Sequence, residues 1–254
     1  MIRIVRIPLE ANLAGQLARR TASIADADTA TARRAWQSAR REKAGIRRHL
    51  NQMAPGVQRC MYCADNLGTD IDHFEPIKES PAGTFLWPNH LLACSFCNSN
   101  QKRDLFPRDL AGRPLLIDPT QEDPVSHLRL ILRTGEYRAL SARGTSTIDV
   151  FGLNRRDLTR GRAAAFEMAK AALNRAHELA RASRRDEAAE CLGALAEQPH
   201  ASVLREMLRS ATLPGGVHVL GPDTVTAIGD ATVLAILTRM LWRGTNAKPR
   251  ARSA

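Results

Sequence analysis

Four of the five cysteines stand in two pairs, and each pair has two residues between its members. The pairs are Cys60–Cys63 and Cys94–Cys97, with 30 residues between them. Two thiolates at this spacing can reach one tetrahedral zinc ion from a tight turn, and a second such turn completes a four-sulfur site. Disulfides, which a reducing compartment disfavours, and buried free thiols are the alternatives. The spacing therefore predicts one structural Zn²⁺ held by all four cysteines, with an insertion between the two zinc knuckles.

Polar residues in and beside this insertion have the types needed for phosphodiester hydrolysis. Asp72 and His73 are adjacent, Asn89 lies further along, and Asn98 directly follows the last paired cysteine. Such hydrolysis needs a base that activates water and a cation that stabilises charge on the phosphate. His73 is the candidate base, because histidine titrates near neutral pH. Neighbours in a strand point to opposite faces, so Asp72 and His73 can serve one site only if the backbone bends there.

This order of residues resembles the HNH endonucleases, whose active site is the ββα-metal or His-Me finger. The resemblance implies that His73 is the base and that Asn89 bridges a loop and orients the base. It also implies that Asp72 and Asn98 offer oxygens to one Mg²⁺, with Mn²⁺ as the usual substitute. The sequence departs from the commonest pattern at Asn98, where many members have His. Asn is a known variant there, so the departure bears on metal preference more than on activity.

The charge of the chain is basic but unevenly placed. The 254 residues carry a formal net charge of +11. Residues 1–59 hold 12 basic and 4 acidic residues, whereas residues 60–120 hold 5 basic and 8 acidic residues. A basic body around an acidic centre suits a protein that binds a polyanion and holds a cation at one point. The alternative is that the arginine surplus is only compositional.

Two sets of basic residues are candidates for nucleic-acid contact. Lys102 and Arg103 follow Asn98 on a predicted short helix and are placed for phosphate contact, or else they form a solvated helix end. The second set, Arg34, Arg41 and Arg48, recurs every seven residues and would form one stripe of roughly 21 Å on a single helix. That stripe could follow DNA phosphates, although a solvated face or a surface for an acidic partner explains it as well.

That single helix is predicted from the helical spacing of apolar residues between Ala32 and Met53. A hairpin is predicted over 127–140, and three helical stripes follow residue 154, with Cys191 in the core. The fold class is predicted as α+β and mostly α, with a ββα-metal HNH core and zinc knuckle pair between an N-terminal helix and a C-terminal helical region. The predicted segments are a basic helical segment 1–56, the HNH and zinc core 57–120, a hairpin extension 121–155, a helical region 156–243 and a disordered basic tail 244–254.

The expected cellular location follows from the absence of long apolar segments in the sequence. No stretch approaches the roughly 18 uninterrupted apolar residues of a spanning helix. Charged residues interrupt the N-terminus where a signal peptide needs its apolar run. A cytoplasmic protein without membrane contact is therefore expected.

A wider resemblance covers about residues 30–165. The segments that carry it are Phe106-Pro107, Leu116–Pro119, His127-Leu128 and Gly152–Arg155, with Trp36 on a helix before the first knuckle. They look like the PtuB-type HNH proteins of Septu and retron anti-phage systems. The resemblance implies a DNA endonuclease of an antiviral defence system with a partner ATPase.

Two functions from other classes remain as alternatives. A zinc-stabilised nucleic-acid-binding module without catalysis would keep the cysteines and the basic surface. A redox or interaction protein would use the cysteine pairs but leave Asp72, His73 and the asparagines unexplained. RNA also stays open as a substrate, because no residue obviously selects a sugar.

Overall fold

The computed structural model describes residues 1–243, and the tail predicted at 244–254 lies outside them. Within the described range the chain is mostly helical, with two small antiparallel sheets. The helices are α1 Ala11–Ser23, α2 Thr29–Ser38, α3 Arg40–Met53, α4 Ala142–Phe151, α5 Arg156–Arg181, α6 Arg185–Glu197, α7 Ala201–Ala211, α8 Gly216–Leu220, α9 Pro222–Gly229 and α10 Ala231–Arg243. The strands are β1 Asp70–His73, β2 His90–Ala93, β3 Leu128–Ile131 and β4 Glu136–Ala139.

The first sheet lies between the two cysteine pairs. β1 and β2 are antiparallel, with Asp72 opposite Leu91 and His73 opposite His90. All four residues of β2 are buried, so this strand fastens the sheet to the core. A seven-residue π-helix, Phe96–Lys102, follows β2 and ends with a hydrogen bond of 2.7 Å from the Arg103 N–H to the carbonyl five residues earlier. Such wide turns are rare and occur mostly at functional sites.

The hairpin predicted over 127–140 is confirmed. β3 pairs with β4, and Leu130 stands opposite Tyr137. Leu128, Leu130 and Tyr137 are buried, as expected for one face of a strand pair that packs on the core. Gly135 closes the turn with φ +70°, a conformation that glycine adopts without strain.

The single helix predicted from Ala32 to Met53 is wrong, because the chain breaks at Ala39. α2 ends and α3 begins around this residue, whose ψ of 53° is not helical and whose side chain is fully buried. α2 packs against the turn at Pro81–Phe85, whereas α3 packs against β2. One straight helix cannot follow both surfaces. The spacing of apolar residues indicates which face of the helices is buried, but it does not indicate that the helix axis changes direction at Ala39.

The C-terminal region is built around α5, the longest helix. Its buried face, with Phe166, Ala169, Leu173 and Ala176, is the one that the helical spacing predicted. α6, α9 and α10 pack on it. Cys191 was expected in the core but is only half-buried, and its thiol donates to the Ala172 carbonyl across the α5–α6 contact.

The N-terminal segment is fastened to the start of β2, the strand that pairs with the one carrying Asp72 and His73. The Arg6 guanidinium donates to the carbonyls of Trp87, at 2.9 Å, and His90, at 3.1 Å, and its charge lies over the Trp87 ring. These contacts hold the turn before β2 in place. Among residues 1–243, no helix combines the length and apolar character needed to cross a bilayer.

Candidate metal and catalytic site

The four paired cysteines form one buried cluster. Their sulfur atoms all lie within 4.8 Å of one another, and the Sγ atoms of Cys63 and Cys94 are 3.9 Å apart. Sulfurs bound at 2.3 Å around a tetrahedral zinc ion stand about 3.8 Å from each other, so the cluster fits this metal. Hydrogen bonds with neighbouring thiols, that of Cys60 first, lower the pKa of Cys94 below its ordinary value. The cluster can therefore hold zinc, as the spacing predicted.

Backbone contacts tie the cluster to the first sheet. The Met61 N–H donates to the Leu92 carbonyl at 2.8 Å, which joins the first knuckle to β2. The second knuckle follows β2 directly and leads into the π-helix. Both knuckles thus flank the first sheet, in which β1 carries Asp72 and His73.

His73 ends β1 and has a defined protonation state. Its Nε2 lies 3.0 Å from the Thr84 carbonyl oxygen. A carbonyl can only accept, so Nε2 carries the proton and Nδ1 keeps a free lone pair. Burial lowers the pKa of His73 to about 4, so the imidazole is neutral at pH 7. The pKa thus lies below the near-neutral value expected from the residue type, so the imidazole is free to accept a proton but is a weaker base than an ordinary histidine.

His73 contacts the Thr84 carbonyl and the Trp36 ring, and the sequence predicted neither contact. His90, fully buried, also places its Nε2 3.0 Å from the Thr84 carbonyl, so both imidazoles share one acceptor. The Trp36 ring packs edge-on against His73, at 4.5 Å between centroids, and stacks on His90 at 5.3 Å. α2 therefore forms one wall of the site. The only sequence signal was a tryptophan on the helix before the first cysteine pair.

Asn89 closes the loop between the two strands. Its side-chain oxygen accepts from the Glu75 N–H at 2.8 Å, and its amide donates to the carbonyls of Glu75, at 3.0 Å, and Gly83, at 3.1 Å. Gly83 precedes Thr84, so these bonds also steady the carbonyl that holds His73. Asn89 thus bridges the loop between β1 and β2, and its part in orienting the base stays a prediction.

Asp72 is buried and already paired. Its Oδ2 accepts from the Tyr62 hydroxyl at 2.5 Å, and its Oδ1 accepts from the Lys102 ammonium at 2.9 Å. Lys102 also donates to the His73 carbonyl at 2.5 Å. Tyr62 stacks on Phe151, and its burial raises its pKa well above the ordinary value. Tyr62, between the first two cysteines, is a site residue that sequence reasoning missed.

The placement of Lys102 corrects the expectation that it contacts phosphate. The side chain is fully buried against Asp72 and faces away from solvent. The expectation assumed an ordinary helix with Lys102 on its outer side. The wider π-helix turns this residue inward instead.

Asp72, His73, Asn98 and Arg103 meet at one cleft of about 360 Å³, and α2 contributes Arg33 and Trp36 to it. Asp72 and His73 both line the cleft from within the paired register of β1, and the backbone bend expected at this pair stays a prediction. Arg103 is exposed and has φ 51°, a conformation that costs a non-glycine residue roughly 1–3 kcal/mol. At the mouth, Arg33 forms an ion pair of 3.0 Å with Asp104.

Asn98 points one amide group at a second carboxylate. Its Nδ2 donates to Asp70 at 3.1 Å, and within residues 1–243 its side-chain oxygen accepts no hydrogen bond. Asp72 and Asn98 are oxygen donors of the kind that Mg²⁺ prefers. A carboxylate has about four lone-pair positions, and Asp72 uses two of them on Tyr62 and Lys102. Asp72 and Asn98 therefore have the ligand atoms that a divalent cation needs. The Lys102 ammonium would compete with that cation for the Asp72 carboxylate.

The arginines of the predicted stripe do not line the cleft. Arg34, Arg41 and Arg48 are exposed, but Arg34 lies on α2 and the other two on α3. The continuous stripe is therefore wrong, for the same reason as the single helix. Arg48 pairs with Glu10 at 3.2 Å. On α2 it is Arg33, the neighbour of Arg34, that faces the site.

A larger cavity, of about 850 Å³, lies on the other side of the Asn89 loop. Two ion pairs lie in its lining, between Glu122 and Arg143 and between Asp109 and Arg113. Asp72, His73 and Asn98 are not among its lining residues. The smaller cleft is thus the one that contains the predicted chemistry.

Comparison with known proteins gives one informative relative. No family model matches the chain, and no solved structure matches it. The Septu protein PtuB of Bacillus mycoides (strain KBAB4) is 29% identical to it over 149 residues, which are 46% of this chain and 50% of the relative. The chain thus spans about half the length of this curated relative, and over that part it is similar to a PtuB protein.

Proposed function

We propose that this protein is a metal-dependent endonuclease of the HNH kind that hydrolyses DNA phosphodiester bonds. The observation that carries the proposal is the state of His73: a neutral imidazole whose Nε2–H is held by the Thr84 carbonyl, on the cleft that it shares with Asp72, Asn98 and Arg103. A buried base of defined tautomer next to oxygen donors and a guanidinium is the combination that phosphodiester hydrolysis requires.

In this proposal the residues of the cleft divide the work. Arg103 and Arg33 bind the phosphate, for which Arg33 exchanges its ion pair with Asp104. His73 accepts the proton of the attacking water at Nδ1. The water oxygen then attacks phosphorus, and the bond from phosphorus to the leaving oxygen breaks. The leaving oxygen takes a proton from solvent, and His73 returns its proton to solvent. A divalent cation at Asp72 and Asn98 would supply charge stabilisation at the phosphate. The cysteine cluster, filled with zinc, would hold the two strands at the correct distance.

The test is incubation of the zinc-loaded protein with supercoiled plasmid and Mg²⁺. We expect nicked or linear product, its loss on chelation of Mg²⁺, and its return when Mg²⁺ or Mn²⁺ is added. Single-stranded RNA of matched length serves as the second substrate and decides whether the sugar matters. Plasmid that stays supercoiled at every Mg²⁺ and Mn²⁺ concentration, with DNA bound, would favour the non-catalytic nucleic-acid-binding module.

The internal ion pair of Asp72 is the observation that favours this second candidate, because a carboxylate neutralised by Lys102 binds cations less strongly. The similarity to PtuB supports a role as a component of a Septu-type anti-phage system. A partner ATPase and a cytoplasmic location remain part of the proposal. Phage challenge of cells that carry the protein with its neighbouring genes tests that role, with His73→Ala as the inactive form.

A further inference from the structure

Lys102 is the most completely buried charged group at the site. The residue has 0% exposure, and its ammonium lies 2.9 Å from the Asp72 carboxylate and 2.5 Å from the His73 carbonyl. Lysine is almost never fully buried unless it is paired. The pairing partner here is the carboxylate that the proposed function assigns to a divalent cation.

The ion pair between Lys102 and Asp72 affects cation binding through its charges. Asp72 contributes one negative charge, and the ammonium cancels it at hydrogen-bond distance. The second oxygen of Asp72 accepts from the neutral Tyr62 hydroxyl, which adds no negative charge. A divalent cation at Asp72 would therefore lie close to a positive charge in a buried environment, where repulsion is strong.

We propose that Lys102 is an internal cation that occupies the Asp72 carboxylate when no divalent cation is bound and keeps the affinity of the cleft for divalent cations low. The identification of Asp72 and Asn98 as ligands rests on the proposed function. Lys102 and Asn98 belong to the same seven-residue π-helix. This one element therefore positions both the Asn98 side chain, a proposed cation ligand, and the ammonium that pairs with Asp72. The π-helix thus determines both a ligand and its competitor.

The test measures Mn²⁺ binding without DNA. Zinc-loaded protein is titrated with Mn²⁺, and the electron paramagnetic resonance signal of free Mn²⁺ reports the bound fraction. We expect Lys102→Met to bind Mn²⁺ at least about ten-fold more tightly than the unchanged protein, because Asp72 is left in the interior without its counter-charge. Mn²⁺ should also raise the melting temperature of this variant more than that of the unchanged protein.

Three further variants isolate the effect. Lys78→Met removes an exposed lysine from the loop after β1 and should leave Mn²⁺ affinity unchanged. Lys102→Arg keeps the charge and should bind Mn²⁺ as weakly as the unchanged protein. Asp72→Asn combined with Lys102→Met removes the carboxylate as well, and the gain in affinity should disappear.

Unchanged or weaker Mn²⁺ binding in folded, zinc-containing Lys102→Met would overturn the proposal. Where the methionine variant is unstable, Lys102→Gln keeps a hydrogen-bond donor toward Asp72 and is judged by the same criterion. Absence of DNA cleavage in every form would contradict the proposed function, while the Mn²⁺ data would still decide the role of Lys102.

Discussion

The molecule has two candidate metal sites within one small segment, and they are built in opposite ways. The cysteine cluster consists of four identical donors that are buried and within 4.8 Å of one another. The cleft at Asp72 and Asn98 opens to solvent, and its donors also bond to Lys102, Tyr62 and Asp70. A closed set of thiols suits a structural ion, and an open site with shared oxygen donors suits an exchangeable one.

The contrast predicts that the two sites respond differently to loss of a ligand. Cys60→Ser or Cys97→Ser should remove zinc and unfold the region around the first sheet, because zinc binding in small domains is worth about 10–16 kcal/mol. Elemental analysis and far-ultraviolet circular dichroism measure both effects. Cys191→Ser is the matched control and should keep one zinc per chain. Folded, zinc-free protein with Cys60 replaced would show that the cluster is not structural.

Loss of Asp72 should also destabilise the fold, but by less. Asp72→Ala leaves the Lys102 ammonium and the Tyr62 hydroxyl buried without their partner, which typically costs about 3–5 kcal/mol. Urea denaturation gives the change in the free energy of unfolding. Asp70→Ala removes a half-buried carboxylate from the same strand and should cost less than about 1 kcal/mol. Equal losses would mean that the internal ion pair is not what Asp72 contributes.

The buried His73 predicts a dependence of stability on pH. Its folded pKa of about 4 lies below the ordinary 6.5, so between these values the unfolded chain binds more protons than the folded one. Stability should therefore fall as the pH decreases from about 6.5 to about 4, and His73 should account for about 3 kcal/mol of that fall. Above about 6.5 it contributes no pH dependence.

Comparison of the unchanged protein with His73→Gln over this range isolates the effect, because the variant lacks the titrating group. A pH-dependence that is the same in both proteins would contradict the low pKa of His73. Nuclear magnetic resonance titration of the His73 ring offers a direct second measurement.

The smallest predicted effect concerns phosphate contact by the arginines of α2. Arg33 faces the cleft, whereas its neighbour Arg34 is exposed and bonded to Thr31. Arg33→Gln should reduce the slope of log K against log salt by about 0.9 for one lost duplex phosphate. Arg34→Gln is the matched control and should change the slope less. If Arg34→Gln reduced the slope more than Arg33→Gln, the arginines predicted from the seven-residue spacing would be the ones that contact DNA, although they lie on two helices.

The two sites also differ in how far the sequence could predict them. Cysteines two residues apart meet through local turns, so their spacing predicts each knuckle, and the four ligands of a tetrahedral zinc ion predict that the two pairs meet. The hairpin at 127–140 and the buried face of α5 were predictable for the same reason, since periodicity is local. The order of residues shared with the HNH endonucleases also pointed to His73, Asn89 and Asn98. In the structure His73 and Asn98 line one cleft, and Asn89 holds the loop beside it.

Contacts between distant segments that no motif links were not predictable from the sequence. The break at Ala39 depends on two surfaces that α2 and α3 meet elsewhere in the chain. Tyr62 and Lys102 converge on Asp72 from separate elements, and the inward turn of Lys102 depends on a π-helix that no periodicity indicates. Trp36 was visible as a residue, but its packing against His73 was not. The cysteine cluster was thus predictable, whereas the groups that contact Asp72 and His73 were not.

The central claim is that His73 is the base of a phosphodiester hydrolase, and one measurement addresses it most directly. Plasmid cleavage by His73→Ala is measured at saturating Mg²⁺ beside the unchanged protein and His218→Ala, which removes an exposed histidine far from the cleft in sequence. We expect His73→Ala to retain its zinc and its affinity for DNA and to cleave about 10²–10⁴-fold more slowly, while His218→Ala cleaves normally. Cleavage by His73→Ala at the rate of the unchanged protein would contradict the account.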